Sequence, residues 1–129
     1  MGIIIVADDS NIIVNIVKQT FESKYTVLSA KDGKEAVRLI NANLSKEIVG
    51  MLLDINMPEC DGFDVLDYLK INNLFSKVPV SIITGDDDIE VINRAFEYDI
   101  IDVLKKPFTK ENITKIVDKT ISIKSINNM

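Results

Sequence analysis

Five short apolar runs recur along the chain, at 3–7, 25–29, 48–53, 78–83 and 101–104, and a segment with helical periodicity follows each of them. The runs at 3–7, 48–53 and 78–83 are apolar almost without interruption, as strands covered on both faces must be. Between the first two runs Ile13, Ile16, Val17, Thr20 and Phe21 fall on one helical face, and after the last run Ile113, Ile116, Val117 and Ile121 do the same. Those stripes read as core. Helix starts are marked by Ser10, by Asp32 with Glu35 three residues on, by Asp61 with Asp64, by the aspartates Asp86, Asp87 and Asp88, and by Thr109.

No Pro-, Gly- or Ser-rich linker, internal repeat or low-complexity tract breaks this alternation, so the pattern predicts one α/β domain spanning 1–129, without an output domain. Parallel strands with right-handed crossovers place helices on both faces of the sheet. The expected architecture is a flavodoxin-like (βα)5 doubly wound sandwich, its five-stranded parallel sheet in the order 2-1-3-4-5. Strands 1 and 3 are then neighbours at the switch point, and a ligand is expected beyond the carboxyl ends of the strands.

The residues just past those ends are the informative ones. They are Asp8 and Asp9 after the first strand, Asp54 after the third, Thr84 after the fourth and Lys105-Lys106-Pro107 after the fifth. An isolated Asp-Asp pair would be explained by a polar turn or a helix cap. Here three carboxylates, a hydroxyl and an ammonium converge on one crevice, and two adjacent like charges become tolerable if a divalent cation lies between them and Asp54. Mg²⁺ suits such an oxygen site, because it needs few protein ligands and keeps open positions for phosphate oxygens. Without metal, mutual repulsion should raise the carboxylate pKa values. Calcium is disfavoured because Glu59 stands where an EF-hand loop needs Gly, and zinc because the chain lacks a Cys or His cluster.

Composition narrows the chemistry further. The 129 residues are 47% hydrophobic, enough for one core, and 15 Lys plus Arg against 20 Asp plus Glu give a net charge of −5. That balance lacks a phosphate-backbone footprint, and direct nucleic-acid binding is not expected. No apolar run approaches the ~20 residues needed to cross a bilayer, and no secretion signal opens the chain, so a cytoplasmic protein without membrane contact is expected. Cys60 cannot form an internal disulfide, and neighbouring Glu59 and Asp61 should raise its thiol pKa. Histidine is absent, which removes the commonest general base and metal ligand. Carboxylates, hydroxyls and lysines must carry any reaction.

The ordered set "VADDS" (6–10), "LLDINMPECDG" (52–62), "VPVSIITG" (78–85) and "AFEYDIIDVLKKPF" (95–108) resembles the receiver domains of two-component response regulators, over essentially the whole chain. The resemblance implies that Asp54 is the phosphoryl acceptor, Asp9 a direct Mg²⁺ ligand, Asp8 a ligand largely through water, and Asn56 a ligand through its backbone carbonyl. Mn²⁺ is expected to substitute for Mg²⁺. It further implies that Thr84 hydrogen-bonds the phosphoryl group, that Lys106 pairs with a phosphoryl oxygen, and that the Lys106-Pro107 bond is cis. The implied donor is a phosphohistidine on a sensor histidine kinase or a histidine phosphotransfer protein. The implied protein is a signalling domain that catalyses its own phosphorylation and slow dephosphorylation, not an enzyme with an independent substrate.

Two positions depart from the family pattern: Val103 replaces the usual aromatic three residues before the lysine, and Asp99-Ile100 replaces Gly-Ala ahead of the fifth strand. Both bear on signal output and leave the phosphorylation chemistry untouched, and with Val103 only weak homodimerisation is expected. A partly exposed apolar patch at Ile12, Val14 and Phe108 is expected to meet the donor. Two alternatives compete: a haloacid-dehalogenase-like phosphatase and a receiver-like binding module that never takes phosphate. The phosphatase fold puts its nucleophile after the first strand, whereas here the acid pair precedes Asp54.

Overall fold

The computed structural model describes residues 2–57, 60–85, 87 and 89–127, with side chains as far as Ser122. Five strands, β1 (Ile3–Ala7), β2 (Thr26–Ala30), β3 (Ile48–Asp54), β4 (Val80–Thr84) and β5 (Val103–Lys105), alternate with five helices. The helices are α1 (Asn11–Phe21), α2 (Gly33–Ala42), α3 (Gly62–Ile71), α4 (Ile89–Ala95) and α5 (Lys110–Asn127). The sheet is parallel in the order β2-β1-β3-β4-β5, which bears out the flavodoxin-like expectation.

Burial explains the order. β1 and β4 are buried along their whole length and β3 is nearly so, whereas β2 and β5 at the edges are partly exposed. Ile5, Met51, Leu53 and Ile82 pack with Ile40, Leu66 and Leu69 on one side of the sheet. On the other side Ile4, Val6, Leu52 and Ile83 pack with Val17, Phe21, Ile113 and Val117. Each of these side chains contributes roughly 1.5–3 kcal/mol when removed from water. No helix among the described residues is long and apolar enough to cross a membrane.

Local signals set most boundaries. Asp32 caps α2 by accepting from Glu35 N–H at 2.8 Å, although the Glu35 carboxylate turns to Lys31 N–H at 3.3 Å, so the box is not reciprocal. Asp61 and Asp64 form a complete capping box at α3, and Thr109 pairs reciprocally with Asn112 at α5. Of the aspartates expected to start α4, Asp86 and Asp88 lie outside the described residues. β2 begins one residue later than expected because Tyr25 N–H is held by the Phe21 carbonyl at 2.9 Å. Val78 N–H is likewise held by Leu74, at 2.9 Å, and Pro79 has no N–H, so β4 starts at Val80.

The α1 stripe is rotated from its expected position. Val14, Val17 and Phe21 are buried while Ile13 and Ile16 are half-buried, so Val14 belongs to the core and not to an exposed patch. Its spacing to Val17 and Phe21 puts it on the centre of the inward face.

Side chains at its C-terminal end brace α4 against α3. The Arg94 guanidinium carbon sits 3.8 Å from the centre of the buried Phe63 ring, Tyr98 O–H donates to Asp67, and Lys70 Nζ stands 5.9 Å from the Tyr98 ring centre. Burial, then the Asp67 hydrogen bond and charge, push the Tyr98 pKa up. Arg94→Ala and Tyr98→Phe should each lower stability by about 1 kcal/mol, read as a shift in the urea midpoint by circular dichroism. No loss in either would mean that the α3–α4 brace carries no energy.

Candidate functional site

Strand register assembles the site. Ala7 pairs with Leu53, so Asp8 and Asp54 follow side by side on neighbouring strands, and Thr84 pairs with Lys105, which puts Lys106 one residue beyond the same edge. Asp8, Asp54 and Thr84 are buried, and Asp9 is exposed at the mouth. Lys106 N–H donates to the Thr84 carbonyl at 2.7 Å, tying the start of the β5–α5 loop to β4, and the Lys106-Pro107 bond is cis, as expected.

Lys106 Nζ stands between two carboxylates. It donates to Asp54 Oδ2 at 3.1 Å and lies 2.8 Å from Asp8 Oδ2, the second contact being an ion pair without hydrogen-bond alignment. Backbone donors hold the remaining oxygens: Ser10 N–H to Asp8 Oδ1 at 2.9 Å, and Asn56 N–H to Asp54 Oδ1 at 3.2 Å. These main-chain contacts were not legible from residue types, although a Ser or Asn two positions after an aspartate suits an Asx turn.

Burial is the main cause of a raised Asp54 pKa, and the Asp8 charge adds to it; Lys106 and Asn56 N–H oppose both without cancelling them. For Lys106 burial works to lower the pKa, but pairing with Asp8 and with the Asp54 carboxylate outweighs it and the net shift is upward. The ammonium is therefore charged at neutral pH. Cys60 is shifted upward too, by burial first and then by Asp64 and Asp61, while Glu59 lies outside the described residues.

The residues fit a hard divalent cation. One carboxylate oxygen from each of Asp8, Asp9 and Asp54 falls within 4.8 Å of the others, and Asp8 Oδ2 is buried without a hydrogen bond. An all-oxygen set of this size matches Mg²⁺. Asn56 sits two residues past Asp54 and is exposed, on the loop that leaves the site. Lys105, at the β5 end, makes a surface ion pair with Asp87 at 3.1 Å. Of the expected donor patch, Ile12 is 72% exposed, Phe108 is half-buried against the α1–α5 side of the core, and Val14 is buried.

A buried aspartate at the end of β3, an acid pair at the end of β1 and a lysine after β5 define a class of phosphate-handling α/β domain. Residues 4–118 match the family model of the response regulator receiver domain, and the chain belongs to that family. It is 29% identical over 110 residues to the chemotaxis protein CheY1 of Helicobacter pylori (strain J99), covering 84% of this chain and 87% of that protein. It is 30% identical over 120 residues to the response regulator SaeR of Staphylococcus aureus (strain USA300), covering 92% of this chain and 50% of SaeR. Among solved structures, the receiver domain of the Francisella response regulator 1452 superimposes with a TM-score of 0.80 at 30% identity, over 93% of this chain and 96% of that one. The protein is thus a receiver domain of the two-component response regulator type. Such domains bind Mg²⁺ at an acidic pocket and take their signal from histidine kinases or phosphotransfer proteins.

The raised Asp54 pKa has a consequence for stability. In the folded state Asp54 keeps its proton to a higher pH than the ordinary 3.8, so stability falls as pH rises from 3.8 through the folded-state value, and the deficit persists above it. In metal-free buffer Asp54→Asn should therefore have the higher urea midpoint at pH 7, and the advantage should shrink as pH falls toward 3.8. A variant less stable than wild type at pH 7 would show that the Lys106 pairing outweighs burial and repulsion.

Proposed function

We propose that Asp54 accepts a phosphoryl group from a phosphohistidine on a sensor kinase or a histidine phosphotransfer protein, and that the chain works as a single cytoplasmic receiver unit. The observation that carries this is the ion pairing of the buried Asp54 carboxylate with Lys106 beside a second buried carboxylate, Asp8. The ammonium favours the ionised form of Asp54 against the burial and the Asp8 charge that disfavour it.

In the transfer, an Asp54 carboxylate oxygen attacks phosphorus in line, the P–N bond to the donor imidazole breaks, and the imidazole leaves with the bonding pair and takes up a proton. Lys106 changes partner from the Asp54 carboxylate to a phosphoryl oxygen, and Thr84 Oγ1 donates to another. Asp8 and Asp9, with the Asn56 carbonyl and Asp54 itself, would hold Mg²⁺, with Mn²⁺ as a substitute. When bound, the ion neutralises charge that spreads over the phosphoryl oxygens. Water later hydrolyses the acyl phosphate, which returns Asp54 and releases phosphate. The donor histidine lies outside these 129 residues, which contain none.

Incubation with a small phosphoramidate and Mg²⁺ should add one phosphoryl group to wild type by intact mass, and none to Asp54→Asn. Equal labelling of both proteins, or labelling unaffected by chelation, would remove the assignment; turnover of phosphate esters would instead support the phosphatase alternative. Lys106→Ala should slow labelling by about 10²-fold or more, the scale of one lost electrostatic stabiliser.

Output is expected to be weakly coupled to dimerisation. Val103 is half-buried against the α2–α3 side of the core and is too stiff and small to swing as a ring would. With a beryllofluoride mimic of the acyl phosphate, amide shifts should concentrate at Thr84, Gly85 and α4, with smaller ones at Val103, and sedimentation should show at most a weak dimer. A tight mimic-dependent dimer that is insensitive to Val103→Tyr would overturn this.

A further inference from the structure

The first residue of α2 reaches the loop that leaves the phosphorylation site. Gly33 is buried, and its N–H donates to the Cys60 carbonyl at 2.8 Å. First-turn N–H groups have no partner inside their own helix, so a donor that would otherwise face water holds the outer limb of the β3–α3 loop. At the neck of the same loop Gly62 N–H donates to the Ile55 carbonyl at 2.9 Å. Asn56 lies between these two pins.

Both pins depend on a missing side chain. A Cβ at Gly62 would stand 2.6 Å from the Asp54 carbonyl oxygen and 2.7 Å from Ile55 Cα. A Cβ at Gly33 would stand 2.3 Å from the Cys60 carbonyl oxygen and 2.8 Å from its carbon. At Gly33 the Cys60 Sγ also lies at 2.6 Å and could rotate aside, but the other atoms named are backbone and cannot. Nor can α2 retreat easily, because Ala36 and Ile40 are wholly buried in the core. The loop is the part that must yield.

We propose that Gly33 is a positioning residue for the metal site: by holding Cys60, it fixes the loop from which the Asn56 main-chain carbonyl completes the oxygen set of Asp8, Asp9 and Asp54. This rests on the function proposed above and assigns part of its metal affinity to a residue on a different element. Mg²⁺ demands near-ideal octahedral geometry, so a sub-ångström displacement of one ligand is felt in affinity. Outer contacts that orient ligands are typically worth 10- to 100-fold in metal binding.

Calorimetric titration of the full chain with MgCl2 tests it. Gly33→Ala should bind Mg²⁺ about tenfold more weakly than wild type. Gly85→Ala serves as the matched control, since a methyl there meets nothing within 4 Å among the described residues, and its affinity should equal that of wild type. Should Gly33→Ala fail to fold, wild type alone supplies the second measurement. Coupling is reciprocal, so saturating Mg²⁺ should slow hydrogen exchange at the Gly33 amide by about the same tenfold factor. Wild-type affinity in a folded Gly33→Ala, or Gly33 exchange indifferent to Mg²⁺, overturns the inference and leaves the proposed function standing. Failure of wild type to bind Mg²⁺ would overturn the metal assignment, and the inference with it.

Discussion

Two carboxylates buried side by side at the ends of adjacent strands repel each other, and the domain tolerates them only because a cation stands between. Lys106 supplies that charge, at 2.8 Å from Asp8 and 3.1 Å from Asp54. Its pairing does not cancel the cost, as the raised Asp54 pKa shows. A buried carboxylate that is incompletely compensated is unfavourable, so the arrangement costs the fold stability. The same imbalance makes the site receptive to further positive charge. A divalent ion held by Asp8, Asp9 and Asp54 would relieve the repulsion that a single ammonium leaves in place, and in the proposed transfer Lys106 would then be available to a phosphoryl oxygen.

Placing one lysine with this accuracy falls to the sheet. Parallel pairing of β1 with β3 sets Asp8 beside Asp54, and pairing of β4 with β5 delivers Lys106 from a segment more than fifty residues away in sequence. Because strand side chains alternate, a one-residue slip in either ladder would turn these groups toward the opposite face. The buried residues of β1, β3 and β4 resist such a slip: moving Ile82 or Leu53 by one position would exchange the two halves of the core. The hydrophobic layers thus determine the geometry of a polar site that contributes nothing favourable to them.

Much of this could be read from residue order. Nearly continuous apolar runs gave the central strands, and the polar residues just past them gave Asp8, Asp9, Asp54, Thr84 and Lys106. What remained hidden depended on rotation and on backbone contact. Val14 could not be told from an exposed neighbour in α1, because Ile12, Ile13, Val14, Ile16 and Val17 are all apolar and periodicity alone leaves the phase of such a helix undetermined. Ser10 N–H and Asn56 N–H act through main chain, which residue identity constrains weakly. Gly33 was legible only as the opening of a helix. Its closeness to Cys60, across more than twenty-five residues of chain, is a property of packing between α2 and the β3–α3 loop.

Asp54 and α4 are held in contrasting ways. Asp54 is embedded at a strand end, with one backbone donor, Asn56 N–H, on one carboxylate oxygen and Lys106 on the other. α4 spans only Ile89–Ala95, exposes Ile89, and is held at its far end by Arg94 on Phe63 and Tyr98 on Asp67. Phe63 stands in the first turn of α3, directly after Gly62, whose N–H closes the loop that leaves Asp54. A change at Asp54 can therefore reach α4 from two sides, through Thr84 and the β4–α4 loop, or through the β3–α3 loop and the Phe63–Arg94 contact. With valine at 103, the β5 side offers little differential contact between two states, and a population shift needs such a contact. The second path runs through the Arg94 guanidinium over the Phe63 ring at 3.8 Å, a contact that a movement of α3 would lengthen.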